Sequence, residues 1–354
     1  MSILRPLKYI LAFLLPMLAW VSFTHSGWLS YSGLLYAFGV VPFFELFFKA
    51  DSQNLTQAER EIVSKDKIYD LLLYLMVPVQ WLLLACFLYN FEFREITMFT
   101  KVGMIFSMGM LCGVVGINVA HEFGHRPKKH EVFFAKCLLL TSLYLHFYIE
   151  HNHGHHKHVG TDQDPATARH GEGLYRFWLR SLFFSYLGAW KIESKRLKRK
   201  KKSPISIHNQ MVRFTLTQVL LVLVIVALFS IETLIAFMLS ALIGMLLLET
   251  VNYIEHYGLR RNKVNEHRYE DVQPQHSWNS NHVLGRLVLF ELSRHSDHHY
   301  RAAKPFQELD NWADSPQMPT GYPGMMLVAL VPPFWFKVMN KKLLEEKSQL
   351  AMDS

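Results

Sequence analysis

Long runs of apolar residues alternate with short polar segments along this chain of 354 residues. Six of the runs are long enough to cross the apolar core of a bilayer, which takes about 20 helical residues. They are 8–24, 30–48, 68–90, 97–120, 210–230 and 232–253. Prolines lie inside three of them, which membrane helices tolerate. The pattern predicts an all-α integral membrane protein with six transmembrane helices.

Basic residues indicate the orientation of these helices, because Lys and Arg collect in the cytoplasmic loops of membrane proteins. The polar segment 49–67 carries four of them, whereas the loop after the first run carries none. Six crossings then return the chain to the side on which it began. We therefore expect both termini, and the histidine sets described below, on the cytoplasmic side.

Two further apolar segments differ from the six runs. Segment 132–149 contains a lysine, a tyrosine and a histidine, and we expect an embedded or re-entrant helix that begins and ends on the cytoplasmic side. Segment 325–339 is interrupted by two adjacent prolines, and we expect it to lie in the membrane interface.

The segments divide the chain into four parts of one integrated domain. Residues 1–125 hold helices one to four and end in a first histidine pair. Residues 126–209 form a cytoplasmic or re-entrant segment with a second histidine set. Residues 210–256 hold helices five and six, and residues 257–354 form a cytoplasmic C-terminal region with a third set.

Nine of the 19 histidines gather near the predicted cytoplasmic helix ends. They are His121, His125, His151, His155, His156, His256, His295, His298 and His299. Nine imidazoles exceed the needs of one metal ion and suit two ions with four or five ligands each. Their softness fits zinc, copper, iron or nickel. One centre can collect them only if segment 132–149 does not cross the membrane, because a metal–imidazole bond is about 2.1 Å long.

The spacing of the histidines predicts which imidazoles share a helix face. His151 and His155 are four residues apart and are expected on one face, with His156 adjoining them. His295, His298 and His299 stand at i, i+3 and i+4 and are likewise expected on one face. The pair His121 and His125 also fits the zincin pattern H-E-x-x-H, with Glu122 as general base. A zincin needs one further ligand and not seven, which disfavours that alternative.

Charge and cysteine content narrow the choice of partners. The chain is 51% hydrophobic and carries a formal net charge of +8, much of it in the basic run Lys195–Lys202. For a membrane protein this run indicates an anchor on anionic lipid or a dock for an acidic partner, and not nucleic acid binding. The three cysteines are isolated, so neither a disulfide framework nor an iron–sulfur site is expected in the chain.

Four motifs carry a resemblance to a known family. They are H-E-F-G-H from His121, E-H-N-H-G-H-H from Glu150, N-Y-I-E-H-Y-G-L from Asn252 and L-S-R-H-S-D-H-H from Leu292. Together they resemble the membrane-bound non-haem di-iron alkane 1-monooxygenases, within the histidine-box superfamily of fatty-acid desaturases and hydroxylases. The histidine boxes alone indicate only the superfamily, and N-Y-x-E-H-Y-G is the more specific signal. The similarity extends from the second apolar run to P-T-G-Y-P-G at Pro319.

The resemblance implies an activity and its cofactors. The nine histidines would hold two iron ions, and O₂ would be the co-substrate in the hydroxylation of a terminal methyl group to a primary alcohol. A separate rubredoxin and its reductase would supply the electrons, docking at Lys195–Lys202 or at Arg260–Arg261. The protein would lie in a bacterial inner membrane with its active site facing the cytoplasm.

Further residues are candidates for supporting roles around this site. Four carboxylates are expected to orient the imidazoles by accepting their distal N–H groups, namely Glu122, Glu150, Glu255 and Asp297. A channel from the bilayer is expected to be lined by Leu34, Leu35, Ala37, Phe38, Met76, Met108 and Met110. Ala37 lies where a bulky side chain in relatives would limit the length of the alkane, so a small residue here predicts access for longer chains.

Three alternatives stay open at this stage. A fatty-acid desaturase and an aryl-methyl hydroxylase of the xylene monooxygenase type use the same histidine boxes. A membrane metal carrier or sensor without catalysis is a more distant alternative. Against it, the histidines gather at one end of the bundle, and no path of ionisable residues crosses the membrane.

Overall fold

Six long apolar helices dominate the computed structural model, which describes residues 5–266 and 268–352. The six, named spans 1 to 6 in chain order, are Pro6–Thr24, Gly27–Glu45, Ile68–Phe93, Met98–Gly124, Gln210–Leu228 and Ile231–His256. All six are long and apolar enough to cross a membrane, which confirms the predicted all-α membrane architecture. Spans 4 and 6 extend beyond their apolar runs and end at the candidate metal ligands.

Further elements lie between and after the spans. The helices are Gln57–Val63, Lys129–Leu140, Phe147–Glu150, His151–His155, His156–His158, Leu174–Arg199, Val283–Val288, His295–Tyr300, Tyr322–Ala329 and Pro332–Met352, with 3-10 turns at Pro274–His276 and Phe306–Glu308. Strands Lys263–Asn265 and Arg268–Tyr269 form an antiparallel pair. We call Leu174–Arg199 the surface helix. Its 26 residues were not anticipated from hydropathy, because polar residues interrupt its apolar face.

Segment 132–149 turns back instead of crossing. The helix Lys129–Leu140 has 12 residues, about 18 Å of length, and a reversal follows in which Leu143 adopts a φ of 51°. Side chains from the spans satisfy the polar groups of this reversal. Gln80 of span 3 donates to Thr141 Oγ1 at 3.0 Å, and Glu249 of span 6 accepts a hydrogen bond from the Tyr144 hydroxyl at 2.7 Å. Irregular backbone inside a bundle needs such partners, since no water is available there.

The C-terminal apolar segment is also broken where the sequence indicated. Tyr322–Ala329 ends before Pro332, which is the first residue of a second helix, a position that suits proline. The second helix continues to Met352. Its residues Trp335, Met339 and Leu343 are buried in a core cluster with Tyr253 and Tyr257 at the end of span 6. This helix therefore packs on the protein as well as facing its surroundings.

A buried ion-pair network fixes span 1 to the segment before the third histidine set. Glu291 accepts hydrogen bonds from the Tyr9 hydroxyl at 2.7 Å and from Arg286 Nε at 2.6 Å. Phe290 and Glu291 both have positive φ values, 50° and 59°. Such a backbone persists only where the surroundings hold it. The network therefore sets the position at which the chain enters Leu292–His299.

Spans 4 and 6 approach so closely that one glycine is required at their crossing. A β-carbon on Gly244 would lie 2.5 Å from Cys112 Cβ and 3.1 Å from the backbone nitrogen of Gly113. Small residues allow this approach in membrane helices, where packing replaces the hydrophobic effect as the driving force. The contact holds together the two helices that end in His121 and His256.

We expect Gly244→Ala to lower the free energy of unfolding by about 1–3 kcal/mol, because an added methyl group overpacks this contact. Gly39→Ala is the matched control, since a β-carbon there meets no atom of the described residues within 4 Å. Thermal and denaturant unfolding of both variants in detergent would measure the difference. Equal stability of the two variants would contradict the close approach of the helices.

Candidate metal centre

The nine predicted histidines come from four separate parts of the chain and meet at one end of the bundle. His121 stands in the last turn of span 4, with His125 just after it, and His256 is the last residue of span 6. The remaining six lie on the turns 151–158 and on the helix His295–Tyr300. Because segment 132–149 turns back, the first pair and the second set lie on the same side.

The imidazoles form two groups of metal-binding size. The first contains His121, His125, His151, His156 and His298, and the second contains His155, His256, His295 and His299. Within each group the candidate ligand atoms all lie within 4.8 Å of one another. Neighbouring residues supply both groups, His155 beside His156 and His298 beside His299, so the two groups adjoin.

The grouping differs from the predicted helix faces. His151 joins His156, five residues later, and His155 joins the other group. The cause is a π-helical turn over His151–His155, in which the His156 N–H donates to the carbonyl of His151. This wider turn places residues five apart, and not four apart, on one side. His298 joins the first group, while its ring lies 5.5 Å from that of His295 and 5.6 Å from that of His299, so this one helix face serves both groups.

Distances between the ring nitrogens fit a shared metal ion in each group. His151 Nε2 lies 3.1 Å from His125 Nε2 and 3.0 Å from His156 Nε2. In the second group, Nε2 of His155 lies 3.2 Å from Nε2 of His299. Two ligand atoms about 2.1 Å from one ion, at right angles, stand about 3.0 Å apart. The separations therefore match atoms that converge on a cation.

The electrostatics of the groups favours the metal-binding state of the rings. Removal from water lowers the pKa of His151, His295 and His298 well below the ordinary value, and the neighbouring imidazoles lower it further. Metal ions bind the neutral imidazole. Nε2 of His121 is buried and has no hydrogen-bond partner among the described residues, and such a lone polar atom is costly unless a ligand meets it.

Asp164 is a carboxylate that orients the ring of a candidate ligand. Its Oδ2 lies 2.9 Å from Nδ1 of His155 and accepts a hydrogen bond from Thr167 Oγ1 at 2.5 Å. This leaves Nε2 of His155 directed into the second group. Asp164 is not among the four carboxylates that were expected from the sequence to orient the imidazoles. The available signal was an acidic residue nine positions after a candidate ligand, in a polar stretch.

Two of the four carboxylates that were expected to orient imidazoles instead accept hydrogen bonds from residues of neighbouring loops. Glu122 Oε1 accepts from Arg126 Nε at 3.1 Å, in an ion pair at the end of span 4. Asp297 accepts from Lys304 Nζ at 2.6 Å and from Trp312 Nε1 at 2.8 Å. Both carboxylates accept hydrogen bonds from basic or aromatic donors, and neither pairs with an imidazole among the described residues.

The other two carboxylates are buried beside the imidazoles without the predicted distal contact. Glu255 Oε2 lies 3.1 Å from His295 Nε2, the nitrogen that faces the group, while Nδ1 of His295 has no partner among the described residues. Glu150 packs against Gly154 and Gly188, and a β-carbon on Gly154 would lie 2.7 Å from its Oε1. The predicted distal contacts of these two residues are therefore not formed.

An apolar cavity of about 60 Å³, part of it open, is lined by residues of spans 1, 2, 4 and 6 and of the segment before the third histidine set. Its lining is Leu15, Tyr36, Ala37, Phe38, Val41, Met110, Gly113, Val114, Asn118, Leu247, Leu248, Val251, Gly285, Val288, Leu289, Leu292, Pro323 and Met326. Asn118 and Leu292, three residues before His121 and His295, mark its inner end. Two π-helical turns, Tyr36–Val40 and Cys112–Ile117, contribute to the wall.

The predicted channel residues divide between this cavity and the packed core. Ala37, Phe38 and Met110 line the cavity, and Leu34 packs beside them without lining it. Met76 and Met108 are fully buried in the main core cluster and do not line it. Leu35 is 49% exposed on the outer face of span 2. Sequence alone gives the span of a residue but not the direction of its side chain.

The fold and the site define a class, namely multi-pass membrane proteins with a histidine-rich metal-binding region. A model of the fatty acid desaturase family matches residues 98–329. An alkane 1-monooxygenase of Pseudomonas putida is 37% identical over 321 residues, covering 90% of this chain and 80% of that protein. Alkane 1-monooxygenase 1 of Alcanivorax borkumensis is 37% identical, covering 91% and 80%. The chain belongs to the alkane 1-monooxygenases, within the fatty acid desaturase family.

A more distant relative marks the breadth of the family. The hydroxylase component of xylene/toluene monooxygenase from Pseudomonas putida is 28% identical over 285 residues, covering 79% of this chain and 75% of that protein. The identity to the two alkane 1-monooxygenases, 37%, is larger than the identity to this relative. The predicted resemblance to the alkane 1-monooxygenases is thereby confirmed.

We expect Asp164→Ala to weaken metal retention roughly 10–100-fold, because His155 loses the partner that fixes its ring. Asp162→Ala is the matched control, since that carboxylate is 75% exposed and pairs only with Arg260 among the described residues. Metal content after a timed chelator challenge would measure the effect. Identical metal loss from both variants would contradict the orienting role of Asp164.

Proposed function

We propose that the protein hydroxylates alkanes at a terminal carbon, using O₂ and two electrons at a di-iron centre. In balanced form, R–CH₃ + O₂ + 2e⁻ + 2H⁺ gives R–CH₂OH + H₂O. The observation that carries the proposal is an apolar cavity whose lining includes Asn118 and Leu292, each three residues before a member of the two imidazole groups. The names of the relatives at 37% identity support the same reaction.

The proposed ligands are the nine imidazoles, five for one iron and four for the other. No side chain oxidises an unactivated C–H bond, so the chemistry requires a metal cofactor, which when bound supplies O₂ activation. The protein contributes converging nitrogens and a ring orientation fixed by Asp164. Iron is favoured over zinc because zinc has no redox chemistry.

The cavity is suited to a substrate without polar groups. An alkane is bound by burial alone, at about 0.8 kcal/mol per CH₂ group. Asn118 places an amide group near the inner end of the cavity. Its side-chain nitrogen donates a hydrogen bond to the carbonyl of Leu289 at 3.0 Å, so the amide already has a partner. Ala37 lies on the wall formed by span 2, and its small side chain leaves room for a longer chain.

Electrons are proposed to come from a separate rubredoxin and its reductase. His125 and His156 are the half-buried ligands of the first group, so this group lies nearest the surface. Arg261 donates to the carbonyl of Lys157, the residue after His156, at 3.1 Å. We place the dock of the acidic carrier at Arg260–Arg261, with the site facing the cytoplasm of a bacterial inner membrane.

Hydroxylation of aryl methyl groups is the second candidate. The 28% identity to the xylene/toluene monooxygenase component supports it, and the two reactions share the attack on a methyl group. The candidates differ in the shape of the substrate, and a direct comparison of octane with xylene as substrates therefore separates them.

Purified membranes supplied with rubredoxin, reductase and NADH should convert octane to 1-octanol and contain about two irons per chain. His121→Ala should abolish turnover, because its unpaired Nε2 lies in the first group. His153→Ala should retain turnover, since His153 is exposed and outside both groups. Preference for xylene would favour the second candidate, and zinc in place of iron would refute the redox proposal.

Ala37→Trp should shift turnover towards shorter alkanes. Excluding about two methylene groups from the cavity removes about 1.6 kcal/mol of binding, roughly tenfold, for the longest substrates. Product profiles over a series of alkane lengths would measure the shift. Met17→Trp is the control for added bulk, because Met17 is 63% exposed on the outer face of span 1. An unchanged profile in Ala37→Trp would show that the wall at Ala37 does not limit the chain.

A further inference from the structure

The surface helix and the loop after it expose a continuous set of large apolar side chains. Tyr175, Leu179 and Phe183 follow one another at four-residue spacing, and Leu179 is 76% exposed. Ile205 and Ile207 in the loop are 86% and 61% exposed. Apolar side chains of this size are expensive to leave in water and mark a surface that another apolar phase covers.

The opposite face of the surface helix is fixed to the bundle at both of its ends. Trp178 Nε1 donates to Thr250 Oγ1 of span 6 at 3.0 Å. Near its other end, Glu193 Oε2 accepts from the backbone nitrogen of Gln210, the first residue of span 5, at 2.9 Å. The helix therefore runs from span 6, at a residue six positions before His256, to the first residue of span 5.

A dense group of cations continues this surface. The run Lys195–Lys202 contains seven basic residues in eight positions. Among the described residues, ion pairs of this run are limited to that of Arg196 with Glu193. Lys198 to Lys202 are all exposed. The apolar face and the cations lie next to each other, which is the arrangement of helices that lie in a membrane interface.

We propose that the surface helix and residues 200–209 bind the surface of a bilayer containing anionic phospholipid. Leu179, Phe183 and Ile205 enter the acyl region, and the cations of Lys195–Lys202 contact the headgroup phosphates. The charges of the two surfaces are complementary, and the site is continuous with the lipid-facing side of span 5. An acidic protein would satisfy the cations but leave the apolar side chains in water.

The same helix rests on the second histidine set, so lipid binding should affect metal retention. A β-carbon on Gly154 would lie 3.3 Å from Ile192 Cδ1, and one on Gly188 would lie 3.6 Å from Glu150 Cγ. Displacement of the surface helix would therefore disturb the turn that carries His151, His155 and His156. This coupling requires only that the histidines hold a metal, and it is independent of the reaction that they serve.

The test uses the full chain in nanodiscs of phosphatidylcholine alone or with 30% phosphatidylglycerol. We expect phosphatidylglycerol to raise the thermal midpoint and to slow metal release to a chelator on the order of fivefold. In 1 M salt, where the screening length falls to about 3 Å, both effects should disappear. No effect of phosphatidylglycerol at low salt would overturn the proposal, whatever the alkane activity.

Two matched charge variants locate the effect. The first replaces Lys198, Arg199, Lys200, Lys201 and Lys202 by Gln, and the control replaces Lys65, Lys263, Arg268, Lys337 and Lys341 by Gln. The first variant should lose the response to phosphatidylglycerol and the control should keep it. Persistence of the response in the first variant would overturn the proposal. So would a raised KM for rubredoxin in the first variant with an unchanged lipid response, because the run would then be a protein dock.

Discussion

The convergence of nine imidazoles at one end of the bundle is the constraint on which the rest of the structure depends. Buried polar atoms are unfavourable unless they find partners, and imidazoles that face one another supply too few donors for their acceptors. A cation bound among the imidazoles would remove this cost. Four distant parts of the chain must then end at the same depth, which dictates the lengths of spans 4 and 6 and the reversal within segment 132–149.

Interactions remote from the imidazoles maintain this convergence. The contact at Gly244 sets the separation of the two spans that end in His121 and His256. Glu291, paired with Tyr9 and Arg286, fixes the entry to the third histidine set. The surface helix supports the second set from outside. Each of the two later histidine sets supplies both groups. A disturbance of either set would therefore alter both groups.

The two sides of the metal region have opposite chemistry, which suits the proposed reaction. The spans present an apolar cavity on one side, and a polar layer of ion pairs such as Lys304 with Asp297 covers the other. Two π-helical turns widen spans 2 and 4 beside the cavity, and a third redistributes the second histidine set. Wide turns at these positions alter which side chains face the site without ending the helix.

The sequence by itself determined the six spans, the reversal of segment 132–149 and the set of histidines, because hydropathy and ligand chemistry are local properties of the chain. Only the tertiary structure decided that His151 joins His156, that Asp164 and not Glu122 contacts a ring, and that Met76 packs in the core while Ala37 lines the cavity. These features depend on side-chain direction and on competing partners from distant segments. A residue's spacing along the chain gives its helix face only if the turn is α-helical, and at His151–His155 it is not.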